Sequence, residues 1–378
     1  MELHVTTYEG REAFLFLDDE ERIVELPTEW LRSLTKGAQK VASGTLHRYA
    51  EKIRDLITFL GNHEIYGQWR VDDAIRNLNR IVLNEFYLSL QAAGLKESTV
   101  RLAEAATRRF TNWLNTDEAG YVHARALYGE GSAFLTPAPT KRLPRYLTPA
   151  QVTSLLTNLH YEAQRLVVHF MFDTGLRISE VPRVMRRDIP DWRHYPEGQM
   201  YFPLLVRGSK GRGGQVKERY TIISRPLLSR IARHQNTKTY QFNFDFEEPE
   251  KPALLNVFGD AWTEDAIEAL IARARDRAKL SEASAHRLRH GTAFSVLCSD
   301  HGKSMLDNLV ILQKMLGHTD ITTTEIYTAI PAPVLAQLRS SYGSAEFKSR
   351  FEEAQTIFDS TYLAEKNEPH KRRIIRPT

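Results

Sequence analysis

Five short stretches of the sequence contain polar side chains that could act together on one phosphate group. The stretches are DTGLRISE at 173–180, RGSKGRGGQVKERYTI at 207–222, AHRLRHG at 285–291, LGH at 316–318 and a tyrosine nine positions after that histidine, and they supply Arg177, Glu180, Lys210, His286, Arg289, His318 and Tyr327. Two arginines can fork across the nonbridging oxygens of a phosphodiester and neutralise the charge that builds as phosphorus becomes five-coordinate. A phenol, with a pKa near about 10, is a weak nucleophile at neutral pH and needs neighbouring cations or a base. Because a histidine can transfer that proton and a lysine can protonate a departing sugar oxygen, the set predicts phosphoryl transfer without a metal.

Each of these residues, taken alone, also has an ordinary explanation. Most tyrosines pack or hydrogen-bond, an arginine after Gly175 could lie at a helix end, and a lysine in a turn is usually solvated. His286 and His290 lie four positions apart, which is also a spacing of zinc ligands on a helix. The metalloprotease pattern needs a glutamate after its first histidine, however, and here Arg287 and Arg289 bring positive charge instead. We therefore predict no metal at these histidines.

The composition indicates a soluble globular protein. The chain has 378 residues, of which 42% are hydrophobic and 26% charged, and this length favours two domains over one. No apolar run approaches the length of a membrane span, and residues 1–25 carry acids rather than a basic signal-peptide start, so we expect no membrane association. The single cysteine, Cys298, excludes an internal disulfide and a multi-cysteine metal site. Such a chain suits a reducing cytoplasm, where we expect the protein to act.

The charge is distributed unevenly along the chain. Residues 1–30 hold nine acids and two arginines, a net charge of −7, so the other residues carry +11 of the total of +4. A basic body with an acidic N-terminal arm predicts a polyanionic partner, with the arm turned away from it.

The patterns of apolar residues predict a mainly α-helical chain with small β-sheets. The alternation in the first 26 residues indicates an acidic β arm, and helical spacing follows over 27–134. Residues 135–149 contain four prolines and three basic residues, which predicts a basic, Pro-rich linker that is extended and has no packing of its own. A second domain follows over 150–335, and 336–378 predict a C-terminal helix and a basic tail.

A hairpin of two strands is predicted over residues 200–223, with a Gly-rich basic turn between them. Four glycines between positions 208 and 214 indicate that Lys210 lies at the tip of this turn. Lys217 leads into the second strand, where the pleat fixes the direction of a side chain. Both lysines are candidates for the proton donor, and the turn position favours Lys210.

The combination of TGLRISE, a hairpin lysine, HRLRH and LGHTDITTTEIY resembles the catalytic signature of the tyrosine recombinase (phage integrase) family. The resemblance covers residues 145–330 closely, and over 40–130 it is a similarity of plan to the family's helical core-binding domain. It implies a two-domain, C-shaped DNA clamp in which the core-binding domain is joined to a mixed α+β catalytic domain. The acidic arm and the residues beyond 335 have no clear counterpart in the family.

The resemblance also implies a role for each residue of the set. Arg177 and Arg289 would clamp the scissile phosphate, and Glu180 would orient their pocket. Lys210 would be the general acid for the leaving 5′ oxygen. His286 and His318 would complete the pocket, and Tyr327 would attack to form a 3′-phosphotyrosine.

Further expectations concern the partners. Double-stranded DNA at specific recombination sites would be the substrate, no cofactor would be needed, and a homotetramer encoded by a bacterium, phage or mobile element would act on it. The amphipathic helix at 345–363 is a candidate for reaching a neighbouring subunit. Candidate DNA contacts are Lys141, Arg142, Arg145, Arg212, Lys217, Arg101 and Arg108; the basic residues of the linker could equally be a solvated connector. A type IB topoisomerase and a DNA-binding protein without catalytic activity are the alternative functions.

Overall fold

Two small antiparallel sheets and a larger number of helices make up the described part of the chain, which confirms the predicted fold class. The computed structural model describes residues 2–8, 11–36, 41–129, 131–140, 145–210, 216–299, 301, 305–317 and 349–364. The strands are β1 (Glu2–Tyr8), β2 (Arg11–Leu17), β3 (Tyr201–Lys210) and β4 (Val216–Ser224). The helices are α1 (Glu25–Ser33), α2 (Ser43–Gly61), α3 (Val71–Arg76), α4 (Arg80–Ala92), α5 (Glu97–Trp113), α6 (Pro149–Thr157), α7 (Glu162–Thr174), α8 (Arg225–Gln235), α9 (Lys238–Gln241), α10 (Glu264–Arg277), α11 (Ala285–Leu297), α12 (Met305–Leu316) and α13 (Arg350–Thr361).

The first of two compact units comprises the residues up to Arg142. Strands β1 and β2 form the acidic arm, and the alternation along β2 buries Phe14 and Phe16 against α1 and α2. Trp30 of α1 is fully buried and packs against Phe110 of α5, with a distance of 5.2 Å between the ring centroids. Burial of such large aromatic side chains attaches the arm and the helices to a single core.

Residues 131–140 lie along one face of α5, and this corrects the prediction that the first part of the linker has no packing of its own. The buried carboxylate of Glu104 accepts hydrogen bonds from the backbone N–H of Leu135 and, at 2.7 Å, from that of Thr136. The guanidinium of Arg101 donates to the carbonyl of Thr136 and lies 3.5 Å from the centre of the Phe134 ring.

The ends of the same segment are held in the same way. Arg108 donates to the carbonyl of Ser132 at 2.9 Å, and Glu97 accepts from the backbone N–H of Thr140 at 2.9 Å. Residues 97, 101, 104 and 108 recur at helical spacing, so they share one face of α5. We call residues 131–140 the strap, and the boundary between the two units follows it, between Arg142 and Leu143.

The second unit surrounds the buried helix α7, whose Leu166, Val167 and Phe170 are shielded from solvent. Helix α6 begins as predicted, because Thr148 and Gln151 form a capping box around Pro149. Helices α8, α10 and α11 and the β3–β4 hairpin pack around α7 in one apolar core. The C-terminal ends of α7 and α12 meet the middle of α11 in this unit, and the candidate site lies there.

The hairpin differs from its predicted form at the lysines. Strand β3 continues through Lys210, which pairs with Val216, while Lys217 pairs with Ser209. Lys210 is therefore the last residue of a strand and does not lie at the tip of the turn. Gly208 is one of the four glycines that were expected in the turn. It lies within β3 at positive φ, where the register of the two strands shifts. Both lysines occupy paired strand positions, so position in the hairpin no longer separates them.

Helix α13 packs on its own unit beside a buried ion pair between α8 and α7. Arg230 of α8 donates from Nε and Nη2 to the two oxygens of Glu162, at 2.6 and 2.9 Å. The same arginine donates to the hydroxyl of Thr361 at 2.9 Å, and the N–H of Leu363 donates to Glu162 at 2.8 Å. Phe358 is buried beside these groups. Part of the apolar face that was a candidate for reaching a neighbouring subunit is thus covered by the protein's own α8.

Replacing Glu104 by glutamine should loosen the strap. Glutamine keeps the shape, but its amide NH₂ would face N–H groups that now donate to a carboxylate, and hydrogen bonds to charged groups contribute about 1.5–3 kcal/mol each. Hydrogen exchange of the amides of Leu135 and Thr136 should accelerate, and the midpoint of denaturation should fall. Glu97→Gln, at the solvent-exposed end of the strap, is the matched control and should change little. Unchanged exchange in Glu104→Gln would show that apolar packing alone holds the strap.

Candidate active site

Gly175 places the first arginine of the site. It ends α7 with φ of +66°, and a Cβ there would lie 3.1 Å from Cγ2 of Thr292 and 3.2 Å from Cδ2 of Leu316. Only glycine allows both this backbone angle and such close approach of α7 to α11 and α12. The chain then turns so that Arg177 precedes a short 3-10 helix, Ile178–Arg183.

The buried carboxylate of Glu180 holds two arginines. Its Oε1 accepts from Nη1 of Arg177 at 3.0 Å, and its Oε2 accepts from the backbone N–H of Arg177 at 2.8 Å and from Nη2 of Arg219 at 2.7 Å. Burial raises the pKa of Glu180, but Arg219, the backbone N–H of Arg177 and the guanidiniums of Arg177 and Arg289 outweigh it, so the pKa lies below its usual value. The carboxylate therefore stays ionised at neutral pH and pairs with both arginines, and its role in orienting the pocket stays a prediction.

Arg219 was not among the residues singled out in the sequence. It lies on β4 two positions before Thr221 and four before Ile223, and all three side chains are largely buried. Alternation along β4 places Arg219 on the same buried face as Thr221 and Ile223, and a buried guanidinium needs partners. That alternation was the available signal. Here the partners are Glu180 and the backbone carbonyl of Met315, which accepts from Nη1.

Arg289 is buried on α11 and links two helix ends. Its Nη1 donates to the carbonyl of Gly175 at 2.5 Å and its Nη2 to the carbonyl of Leu316 at 2.7 Å. Arginines are favourable partners for the last carbonyls of a helix, which have no partner within the helix. Arg289 thus fixes the end of α7 against the end of α12.

Gly317 follows α12 with φ of +65°, and a Cβ there would overlap with Cδ of Arg219. The backbone of this glycine therefore passes directly over the aliphatic part of that arginine. His318 and Tyr327 come next in the chain, and both lie outside the described residues.

His286 lies one turn before His290 on α11, with 4.3 Å between the ring centroids. Burial, then Arg289 and Arg177, lower the pKa of His286, so its imidazole is neutral at neutral pH. Arg177, Arg289 and His286 are therefore close enough to act on each other. In the parts of the chain that the structure describes, no group of three or more His, Cys, Asp or Glu residues could hold a metal ion.

The candidate DNA-contact residues differ in their surroundings. Arg101 and Arg108 bind the strap, and Arg145 donates from Nη1 to Glu282 at 2.7 Å, with Arg287 on the same carboxylate. The backbones of Lys210 and Lys217 lie in β3 and β4, and their side chains are outside the described part. Lys141, Arg142 and Arg212 lie outside the described residues.

The arrangement can bind an anion and stabilise added negative charge. Three arginines surround one carboxylate, so positive charge remains after Glu180 is neutralised. Their guanidiniums are held by buried partners and backbone carbonyls, so little reorganisation is needed when charge develops nearby. A neutral imidazole at the same place can accept or donate a proton.

Comparison with known proteins identifies the family to which the chain is similar. Residues 145–332 match the phage integrase family. The chain is 26% identical over 331 residues to tyrosine recombinase XerC of Bradyrhizobium diazoefficiens, covering 84% of this chain and 93% of that protein. It is also 26% identical over 254 residues to tyrosine recombinase XerA of Pyrococcus furiosus, covering 67% of this chain and 77% of that protein.

Solved structures show the same fold. A post-cleavage complex of XerH site-specific recombinase with palindromic difH substrate superposes with a TM-score of 0.57 at 18% identity, covering 83% of this chain and 84% of that one. A lambda integrase dimer bound to a COC' core site gives 0.55 at 14% identity, covering 80% and 75%. A lambda integrase tetramer bound to a Holliday junction gives 0.54 at 14% identity, covering 79% and 77%. No described helix is both long and apolar enough to cross a membrane.

Removing the charge of Arg177 should raise the pKa of His286. In Arg177→Gln one of the two cations that disfavour the imidazolium is gone, so the pKa should move towards its usual value while burial and Arg289 keep it below that value. An NMR titration of the His286 ring measures this. Arg193→Gln is the control, since that exposed arginine pairs with Asp191.

The sign of the pH dependence follows from the lowered pKa. The unfolded chain takes up the proton first, so the folded protein loses stability as the pH falls below the usual histidine value. In Arg177→Gln, the loss of stability at low pH should be smaller. An unchanged pKa of His286 in Arg177→Gln would contradict the placement of these two side chains in one pocket.

Proposed function

Because the chain belongs to the phage integrase family of tyrosine recombinases, we propose that it cleaves and rejoins DNA through a 3′-phosphotyrosine, without metal or ATP. The observation that carries the proposal is the cluster of Arg177, Arg219 and Arg289 around Glu180, beside the neutral His286. Such a cluster matches a phosphodiester whose negative charge increases during the reaction.

Arg177 and Arg289 are proposed to bind the nonbridging oxygens of the scissile phosphate. Each guanidinium can neutralise the charge added when phosphorus becomes five-coordinate, which is the contribution that a metal ion makes in other phosphoryl-transfer enzymes. Arg219 contacts Glu180 and the end of α12, so we assign it to positioning Arg177 and the backbone before His318.

Tyr327 is proposed as the nucleophile and His318 as a further group of the pocket. Arg219 and Arg289 donate to the carbonyls of Met315 and Leu316, just before Gly317, so the polypeptide that leads to the tyrosine starts at the arginine cluster. Attack by the phenolate at phosphorus forms the phosphotyrosine and releases a 5′ oxygen. The new bond keeps the energy of the phosphodiester, so attack by a 5′-hydroxyl restores DNA without ATP.

Double-stranded DNA at specific recombination sites is the proposed substrate, and a homotetramer on that DNA the proposed active form. The related structures of XerH and lambda integrase hold difH and core-site DNA, and one is a tetramer on a Holliday junction. The net positive charge of +11 outside residues 1–30 supports a polyanionic partner.

Tyr327→Phe should abolish covalent attachment while leaving DNA binding nearly intact, because it removes only one oxygen. A nicked target duplex incubated with protein and excess chelator, then resolved on a denaturing gel, measures the adduct. Tyr220→Phe is a matched control on an exposed tyrosine of the same unit and should form adduct normally. Adduct formed by Tyr327→Phe would exclude Tyr327 as nucleophile, and adduct that needs added magnesium would exclude the metal-free mechanism. Relaxation of plasmids without a target site would instead indicate a type IB topoisomerase.

Lys210 is proposed as the general acid for the leaving oxygen, with Lys217 as the alternative. Lys210→Ala should cleave an ordinary substrate slowly and recover when sulfur replaces the bridging 5′ oxygen, because a thiolate leaves without a proton. Lys217→Ala should weaken DNA binding and its salt dependence without rescue by sulfur. Rescue of Lys217→Ala alone would assign the proton donor to Lys217.

A further inference from the structure

Three phenylalanines lie exposed at one place in the second unit. Phe242 is 67%, Phe244 84% and Phe258 46% accessible to solvent. They belong to one surface, because the side chain of Asn243 donates to the carbonyl of Gly259 at 2.7 Å and so joins their two loops. An exposed cluster of aromatic rings marks an interaction site more often than a single exposed apolar residue does. We call these three residues the phenylalanine patch.

The backbone beneath the patch is built from buried polar contacts. The ammonium of Lys251 donates to the carbonyls of Tyr240 and Asn243, at 2.6 and 2.9 Å, and the hydroxyl of Tyr240 donates to the carbonyl of Pro252 at 2.7 Å. The rings are therefore displayed by an ordered loop, which lowers the entropy lost when they bind.

The patch has an acidic rim. Asp245, Glu247, Glu248 and Glu250 follow it directly in the sequence. Arg186 and Arg187 pair with Glu248 and Glu250, at 2.6 and 2.9 Å, whereas neither Asp245 nor Glu247 has an ion pair within the described part of the chain. Excess negative charge repels a nucleic acid, so a surface of this kind suits a basic segment that also carries apolar side chains.

The sequence contains such a segment at HKRRIIR, residues 370–376, in which two isoleucines are flanked by four basic residues. We propose that this segment docks on the phenylalanine patch of its own chain. Ile374 and Ile375 contact the exposed rings, and the flanking lysine and arginines face the acidic rim.

The course of α13 supports docking within one chain. Its first residue, Arg350, donates to the carbonyl of Asp173, whose carboxylate accepts from the N–H of Ser224 at the start of α8. At its other end, the Tyr362 ring lies 4.8 Å from the guanidinium of Arg233 near the end of α8. Helix α13 thus runs along α8 in the same direction.

The phenylalanine patch begins where α8 ends. The ring of His234, next to Arg233, lies 5.5 Å from that of Tyr240, two positions before Phe242. Ile374 lies ten positions after Ala364, and an extended segment of ten residues spans up to roughly 33 Å. The basic segment can therefore reach the patch of its own chain.

Disulfide trapping in the full-length protein tests the docking. In a Cys298→Ser background, Phe244→Cys with Ile374→Cys should form an intrachain disulfide under mild oxidation, seen as a faster monomer band on a non-reducing gel. Tyr220→Cys with Ile374→Cys is the control, because Tyr220 is exposed elsewhere in the same unit. Disulfide-linked dimers would show that the segment binds a second copy, and yields equal to the control would show no docking; either result overturns the proposal.

Hydrogen exchange provides a second measurement without introduced cysteines. The amides of Asn243–Phe246 should exchange more slowly in the unaltered chain than in a variant with Ile374→Asp and Ile375→Asp. The amides of β4 serve as the internal reference and should not change. Equal exchange of the amides of Asn243–Phe246 in the two proteins would overturn the proposal. Ile374 and Ile375 are not residues of the candidate active site.

Discussion

The arginine cluster of the second unit depends on one buried carboxylate. Glu180 lies between Arg177 and Arg219 and accepts three hydrogen bonds from them. A single buried arginine would be costly, because its charge loses the solvation of water. One carboxylate shared by two guanidiniums offsets part of that cost and leaves a net positive charge. The pocket therefore keeps its attraction for an anion while its arginines remain fixed, which is the preorganisation that charge stabilisation requires.

Backbone carbonyls provide the other partners of these arginines, and they determine which elements meet. Arg289 joins Gly175 at the end of α7 to Leu316 at the end of α12, and Arg219 reaches Met315 from the hairpin. Helix ends have carbonyls without partners, so bringing two ends to one guanidinium satisfies both. The same contacts that complete the helices thus assemble side chains that are more than one hundred positions apart in the sequence.

Local patterns explain which features could be predicted. The capping box at Thr148, the alternation of β2, and the relation of His286 to Arg289 depend on residues within a few positions of each other. The spacing of reactive residues likewise indicated the family. The strap could not be predicted in this way, because its donors and acceptors lie about thirty positions from their partners on α5. Lys210 was placed at a turn because glycine is common there, but Gly208 is accommodated within β3 where the register shifts.

The close contact of Gly317 with Arg219 links two positions that are far apart in the sequence. Any β-carbon at 317 would displace Arg219, which donates to Glu180 and to the end of α12. A residue other than glycine would also be strained at the positive φ of this position. A larger residue at 317 would therefore need a shorter side chain at 219. Loss of that arginine would in turn remove one positive charge from the pocket and one hydrogen-bond donor from Glu180. The glycine before His318 is thus constrained by its contact with Arg219 of the hairpin as well as by the ending of a helix.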